Sequence, residues 1–500
     1  MRQNVLEWLE TVCEAYADKT AFSDENGAVT FAQTRARAQA VGTAIAEKTI
    51  VRKPIAVLSG RHCLTPASFL GVVYSGCFYA PIDASLPLSR INQILEILQP
   101  ALVLTDAQNA SLVQKTDYAG EVLFVEEAVK TPADMQRLSQ IRRDSTADDP
   151  LYVIFTSGST GRPKGVITSH FSLMSYIDAY ADVMQISDAD VLGNQSPLDY
   201  IAAIRDIYLP LRCGCSTVII PKTLFMTPAL LFDYMNANRI TAVGWSASAL
   251  TVIVALQGFD SGKPEYLRKV CFSGSVMPCK CLRVWQDNLP DTLFINQYGP
   301  TEATASCTYY IVPGKVRPED VLPIGRAYAN YRILLLTEDG QPAADGAEGE
   351  ICVAGPCLAL GYYNAPELTT KSFVQNPLHN AYRDLIYHTG DIGLRRADGT
   401  LEFHGRRDRQ IKHLGHRVEL DEVEAAAAST DGVQECSVLY DYGTETICLF
   451  YTGSAGMRDI AVHMRQTLPG FMIPRKIRCL DSLPKLPNGK TDLSALKSMI

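Results

Sequence analysis

From about residue 50 onward, short apolar runs alternate with amphipathic stretches. Pro54-Ile-Ala-Val-Leu58, Ala101-Leu-Val-Leu-Thr105, Val122-Leu-Phe-Val125 and Leu151-Tyr-Val-Ile-Phe155 are continuously apolar or nearly so. Strands buried on both faces have this pattern. Helix-like segments connect them, one running through 69–74. The alternation continues through Ser216-Thr-Val-Ile-Ile220, Ile240-Thr-Ala-Val243 and Lys269-Val-Cys-Phe272, which predicts an α/β fold with parallel or mixed sheets. After about residue 320 the texture turns to β: Tyr331-Arg-Ile-Leu-Leu-Leu336 and Gly349-Glu-Ile-Cys-Val353, with turn dipeptides Asp339-Gly340 and Asp398-Gly399 between strands. The last ninety or so residues are more charged and read as a small α+β unit, with its boundary in Gly405-Arg-Arg-Asp-Arg409. The expected architecture is a large N-terminal domain, 1–408, of mixed or parallel sheets with flanking helices and a small β subdomain. A small C-terminal α+β domain, 409–500, follows it.

Composition narrows the function classes. The 500 residues are 47% hydrophobic and 20% charged, enough for a large core and more than one domain. A net charge of −8 without a Lys/Arg-rich run is the wrong sign for a partner held by its phosphates, so no nucleic acid is expected. The longest apolar runs, 252–256 and 333–336, are far too short to span a membrane. The start, with Glu7 and Glu10 among its apolar residues, reads as an amphipathic helix and not a signal peptide. Of the 14 cysteines, the nearest pairs (Cys213/Cys215 and Cys279/Cys281) are C-x-C without histidines at zinc-finger spacing. Reduced core thiols in a cytoplasmic protein are the expectation.

Chemistry concentrates in Thr156-Ser-Gly-Ser-Thr-Gly-Arg-Pro-Lys-Gly165, directly after a buried strand. Glycines let backbone N–H groups approach phosphate oxygens, hydroxyls add donors, and Lys164 adds charge. It is not a Walker loop, because counting from Gly158 that pattern needs Gly at 163 and Ser or Thr at 165, where Pro163 and Gly165 stand. Further motifs follow in order: Asn296-Gln-Tyr-Gly-Pro-Thr-Glu302, Tyr387-His-Thr-Gly-Asp391, Gly405-Arg-Arg-Asp-Arg-Gln410, Lys412-His-Leu-Gly-His-Arg-Val-Glu419 and Leu486-Pro-Asn-Gly-Lys490. Together they resemble, over nearly the whole chain, the adenylate-forming superfamily of acyl-CoA synthetases, luciferases and nonribosomal peptide adenylation domains.

The resemblance implies ATP and Mg²⁺ as cofactors and roles for individual residues. Thr156, Ser157, Gly158, Ser159, Thr160, Gly161 and Lys164 would wrap the phosphates. Tyr298 would stack on adenine, beside Asn296 and Gly299. Thr301 would contact the α-phosphate and Glu302 hold the metal. Asp391 would clamp the ribose, with Arg406 as its partner. Lys490 would reach in from a mobile small domain to bridge substrate carboxylate and phosphate. Asp408 matches the family's hinge, about which that domain rotates between adenylation and thioester formation, and Lys412 and Gly415 would face the site in the second state.

Leu483-Pro-Lys-Leu-Pro-Asn-Gly-Lys-Thr-Asp492 and Gly415-His-Arg-Val-Glu-Leu420 place the chain nearer amino-acid adenylation enzymes than CoA ligases. By resemblance, Tyr200, Ile201, Ala202, Arg205, Gly244, Cys271, Ser273, Gln297, Ala305 and Ser306 line the acid pocket. Ile201 stands where such enzymes carry the Asp that pairs the substrate ammonium, with Asp199 as a possible substitute. An apolar residue cannot balance a buried ammonium. Arg205 points to an acceptor-rich or anionic substrate group, unless it pairs with Asp206. An unusual amino acid with a displaced amino group, a hydroxy, keto or aryl acid, and an ordinary amino acid all remain open. No carrier-like segment follows in the sequence, so the acceptor thiol is expected from a separate phosphopantetheinylated carrier protein or from CoA. The alternatives are an acyl- or aryl-CoA ligase, a D-alanine–carrier protein ligase and a silent adenylate-binding scaffold. The scaffold predicts loss of Lys490, Glu302 or Asp391, and all three are present.

Overall fold

A computed structural model describes residues 4–158, 162–485 and 491–500. The apolar runs form strands as expected, with ends displaced by a residue or two: Pro54–Leu58, Leu102–Thr105, Glu121–Phe124, Pro150–Thr156, Ser216–Ile219, Ala242–Ser246 and Lys269–Ser273. The run at 252–256 falls mostly in the helix Ala247–Ala255, and the amphipathic start forms the helix Leu6–Tyr16, which buries Leu6, Trp8, Leu9, Val12 and Cys13.

Among the described residues the strands make five sheets. The first has seven strands, with Pro150–Thr156, Phe78–Ile82, Pro54–Leu58, Leu102–Thr105 and Glu121–Phe124 parallel in that order. Lys164–Ser169 folds back antiparallel on Pro150–Thr156. The second has nine strands, whose centre runs Leu293–Tyr298, Lys269–Ser273, Ala242–Ser246, Val191–Asn194, Ser216–Ile219 and Thr20–Asp24, all parallel. Helices Leu6–Tyr16, Phe31–Ala46, Thr65–Tyr74, His170–Met184 and Ala203–Cys213 contribute to one continuous apolar core with residues of both sheets. A third, five-stranded antiparallel sheet contains Glu348–Ala354, Leu385–Arg395 and Leu401–Arg406. It is the β-rich region expected after residue 320.

The small α+β unit also forms. The hairpin Gln410–His413/His416–Glu419 leads into the helix Leu420–Ala428 and a three-stranded sheet, with its own core around Val423, Leu449 and Ile460. All fourteen cysteines are unpaired and eleven are buried, matching the expected core thiols. No helix of the described residues is long and apolar enough to cross a membrane.

Candidate functional site

One cavity lies at the C-terminal ends of the parallel strands Ala242–Ser246 and Lys269–Ser273, the usual ligand position in sheets of this kind. Register explains its walls. Gly244 pairs with Cys271 and Ser246 with Ser273, and residues two apart share a face. Ser246 and Ser273 line the cavity, while Gly244 and Cys271 lie one layer deeper. Tyr200, Ile201, Ala202 and Arg205 line one side and Gly299, Thr301, Ala305, Asp391 and Arg406 another. Lys412, Gly415 and Arg417 of the C-terminal hairpin complete it.

At one end, Asp391 and Arg406 are cross-strand partners. The Asp391 carboxylate accepts from the Arg406 guanidinium on one oxygen and from the Tyr298 hydroxyl on the other. Arg406 also donates to Thr389 O (3.1 Å) and to both oxygens of Asp408 (2.6 and 2.8 Å). Gly390, at φ +74°, makes room, since a Cβ there would stand 2.8 Å from an Arg406 nitrogen. Lys412 Nζ lies 5.4 Å from the centre of the Tyr298 ring, and burial pushes its ammonium pKa down. Asn296 is buried and donates to Pro323 O at 2.8 Å.

The segment expected to form a phosphate loop starts where the strand Pro150–Thr156 ends. The Thr156 hydroxyl is buried and has no hydrogen-bond partner among the described residues. Ser157 Oγ donates to Arg417 O at 2.7 Å, and a Cβ at Gly158 would stand 2.2 Å from Arg162 O. The expected phosphate ligands Ser159, Thr160 and Gly161, and the expected bridging Lys490, lie outside the described residues.

Glu302 sits fully buried in the short turn Thr301–Ala303. Both its oxygens accept from Arg417 Nη1 at 2.9 Å, and Oε1 also accepts from the Tyr362 hydroxyl (2.6 Å), with Lys164 Nζ at 3.4 Å. Burial alone would favour the neutral acid, but Arg417, Lys164 and the Tyr362 hydroxyl outweigh it and hold the carboxyl well below its usual range. The sequence reading gave neither Arg417, which lies within a quoted motif, nor Tyr362 a role. For Arg417 a signal existed: a two-residue turn after His413 makes Lys412 and Arg417 cross-strand partners, so both face one way. Nothing local marked Tyr362.

At the other end, Ile201 lines the cavity where the resemblance led us to expect an Asp. Tyr200 donates its hydroxyl to Gly415 O at 2.6 Å. Asp199 does not line this cavity. It faces a neighbouring one with Asp83, Lys222 and His416, where burial and the Asp83 charge push its carboxyl up to about 7. Nor does Arg205 pair with Asp206, whose carboxylate instead accepts from Asn194 Nδ2 at 2.7 Å. Ser306 and Gln297 are brought together beneath the pocket, where Ser306 Oγ contacts the Tyr176 hydroxyl (3.0 Å) and Gln297 Oε1 (3.4 Å).

The family model described as AMP-binding enzyme matches residues 9–363, and that of the AMP-binding enzyme C-terminal domain matches 422–490. The chain belongs to the AMP-binding enzyme family and is an adenylate-forming ligase. It is 30% identical to tyrocidine synthase 1 of Brevibacillus parabrevis over 99% of its own length, and spans 45% of that relative. It is also 30% identical to the D-alanine–D-alanyl carrier protein ligase of Lactiplantibacillus plantarum, covering 99% of each chain. The fold matches the Vibrio cholerae adenylation domain AlmE, solved with glycyl-adenosine-5'-phosphate, at a TM-score of 0.86 and 22% identity, over 100% of this chain and 98% of that one.

Proposed function

We propose that the protein activates a carboxylic acid with ATP and passes the acyl group to a thiol of a separate phosphopantetheinylated carrier protein. A substrate carboxylate oxygen bonds to the α-phosphorus, the bond to the bridging oxygen of the β-phosphate breaks, and pyrophosphate leaves with that electron pair. The thiol sulfur then attacks the acyl carbon and AMP departs. One observation carries this reading: a single cavity joins the Asp391–Arg406 pair, Thr301 and the Arg205 end.

The orphaned Thr156 hydroxyl, which borders the neighbouring cavity that Asp199 faces, and Lys164, beside Glu302, suit phosphate oxygens. The oxygen donor of Glu302 suits Mg²⁺, which when bound offsets phosphate charge. Because Arg417 now holds both Glu302 oxygens, metal binding there requires the hairpin to withdraw. The position of Lys412 and Gly415 on the cavity wall supports assigning this arrangement to thioester formation, with the part after Asp408 rotating to bring in Lys490 for adenylation. A D-alanine–carrier protein ligase is the second reading. The match to that ligase along 99% of both chains favours it, and Ile201 opposes it.

Carboxylate-dependent ATP–pyrophosphate exchange tests the first step. Lys490→Ala is expected to abolish exchange while circular dichroism stays native, and unchanged exchange would remove Lys490 from the mechanism. Mass spectrometry of candidate carrier proteins and of CoA, after incubation with ATP and an acid panel, identifies the acceptor.

A further inference from the structure

We propose that the acid activated here is a dicarboxylic acid, and that Arg205 receives its second carboxylate at the floor of the cavity. This rests on the adenylation reading and names its substrate class.

Arg205 lies in the first turn of the helix Ala203–Cys213 and is only 2% exposed, yet it borders the cavity. Each hydrogen bond it makes goes to a neutral group: Nε to Ala202 O (3.1 Å), Nη2 to Gly244 O (3.1 Å), and Nη1 to Gln297 Oε1 (3.3 Å) and Cys271 Sγ (3.7 Å). Its guanidinium lies 5.4 Å from the centre of the Tyr180 ring. No carboxylate among the described residues forms an ion pair with it, since Asp206 faces Asn194. A guanidinium cannot shed its charge by losing a proton; the Asp206 carboxylate acts on it only at a distance, without a hydrogen bond, and a buried charge with no directly bonded anion is costly. An anion supplied by the substrate removes that cost.

Two details agree. A Cβ at position 244 would stand 3.2 Å from Arg205 Cζ and 3.0 Å from the Tyr180 hydroxyl, so the seat exists because residue 244 is glycine. Beside it, the buried Gln297 Nε2 has no acceptor among the described residues. The opposite polarity is missing from this end. Asp391 is the one acid among the described residues lining the cavity, and its oxygens are committed to Tyr298 and Arg406. A substrate ammonium beside Ile201 would find no anion, so the second functional group is a carboxylate.

The test is ATP–pyrophosphate exchange across a panel of aliphatic and aromatic dicarboxylic acids, their monoamides, and the common amino acids. In parallel, isothermal titration of the same acids measures binding without turnover. The expected result is at least a tenfold preference for one diacid over its own monoamide. Arg205→Gln should erase that preference and weaken diacid binding at least tenfold, and Arg205→Lys should restore part of both, with folding checked by melting temperature. Should Arg205→Gln fail to fold, the wild-type preference between diacid and monoamide still decides. Exchange confined to monocarboxylic acids, amino acids with a single carboxylate among them, or a preference indifferent to Arg205→Gln, overturns this inference and leaves adenylation standing. Arg205-dependent diacid binding with no exchange keeps the anion site and overturns adenylation. Neither binding nor exchange with any diacid, while no other acid is exchanged, overturns both.

Discussion

A carboxylate partly withdrawn from water and set beside another carboxylate resists ionisation, and the half-buried Asp199 is in that position next to Asp83. Its folded pKa of about 7 lies above the roughly 3.9 of an unfolded chain. Between those values the native state holds a proton that the unfolded chain has released. The stability this contributes is full below about pH 4 and is lost as pH rises toward 7. Asp199→Asn is therefore expected to leave the melting temperature at pH 4.5 nearly unchanged and raise it at pH 8. An equal effect at both pH values would contradict the assignment. At this scale the sequence was informative where a residue sits inside a motif, as for Asp391, Glu302 and Arg406. It was silent where a contact depends on distant packing. Tyr362 reaches Glu302 across sixty positions, and the separate orientations of Arg205 and Asp206 come from neighbours on three strands.

At the scale of elements, the hairpin Gln410–His413/His416–Glu419 decides how the site is closed. Its turn is Leu414-Gly415, both at positive φ (+50° and +83°), the backbone of a tight two-residue hairpin loop. Gly415 is required twice over, since a Cβ there would stand 2.9 Å from Ser246 Cβ. Arg417 anchors the hairpin on Glu302, and Arg90 of the helix Leu88–Leu98 adds a buried ion pair to Glu422 at 2.7 Å. Removing one partner of such a pair typically costs ~3–5 kcal/mol; here Lys164 and Tyr362 remain on Glu302 and lessen the loss. If the hairpin serves the thioester step, Arg417→Gln should slow carrier loading about tenfold with little effect on exchange, as read by single-turnover assays of each half-reaction. Asp408, clamped by Arg406, tests the rotation itself. Asp408→Pro should spare exchange and slow loading, whereas equal loss of both would argue against a hinge there.

Across the whole molecule, strand–helix alternation made the α/β class legible, as did the change to β after residue 320 and the small terminal unit. Strand order was not legible. Thr20–Asp24 lies beside Ser216–Ile219, nearly two hundred residues away, because parallel sheets are assembled through crossovers that leave no mark on local hydrophobic period. The same non-local assembly hid the cavity, whose Arg205 floor, Asp391 end and closing wall come from widely separated segments.

That closing wall has a kinetic meaning. With the Tyr200 hydroxyl fastened to Gly415 O, the hairpin acts as a stopper over a compartment that the rest of the chain leaves open. An acyl-adenylate is a mixed anhydride that bulk water destroys. On the proposed cycle it is made while the stopper is out and retained once it is in. Leakage of the intermediate is then governed by the hairpin's time away from Tyr200 and Glu302, more than by the anhydride's own lability.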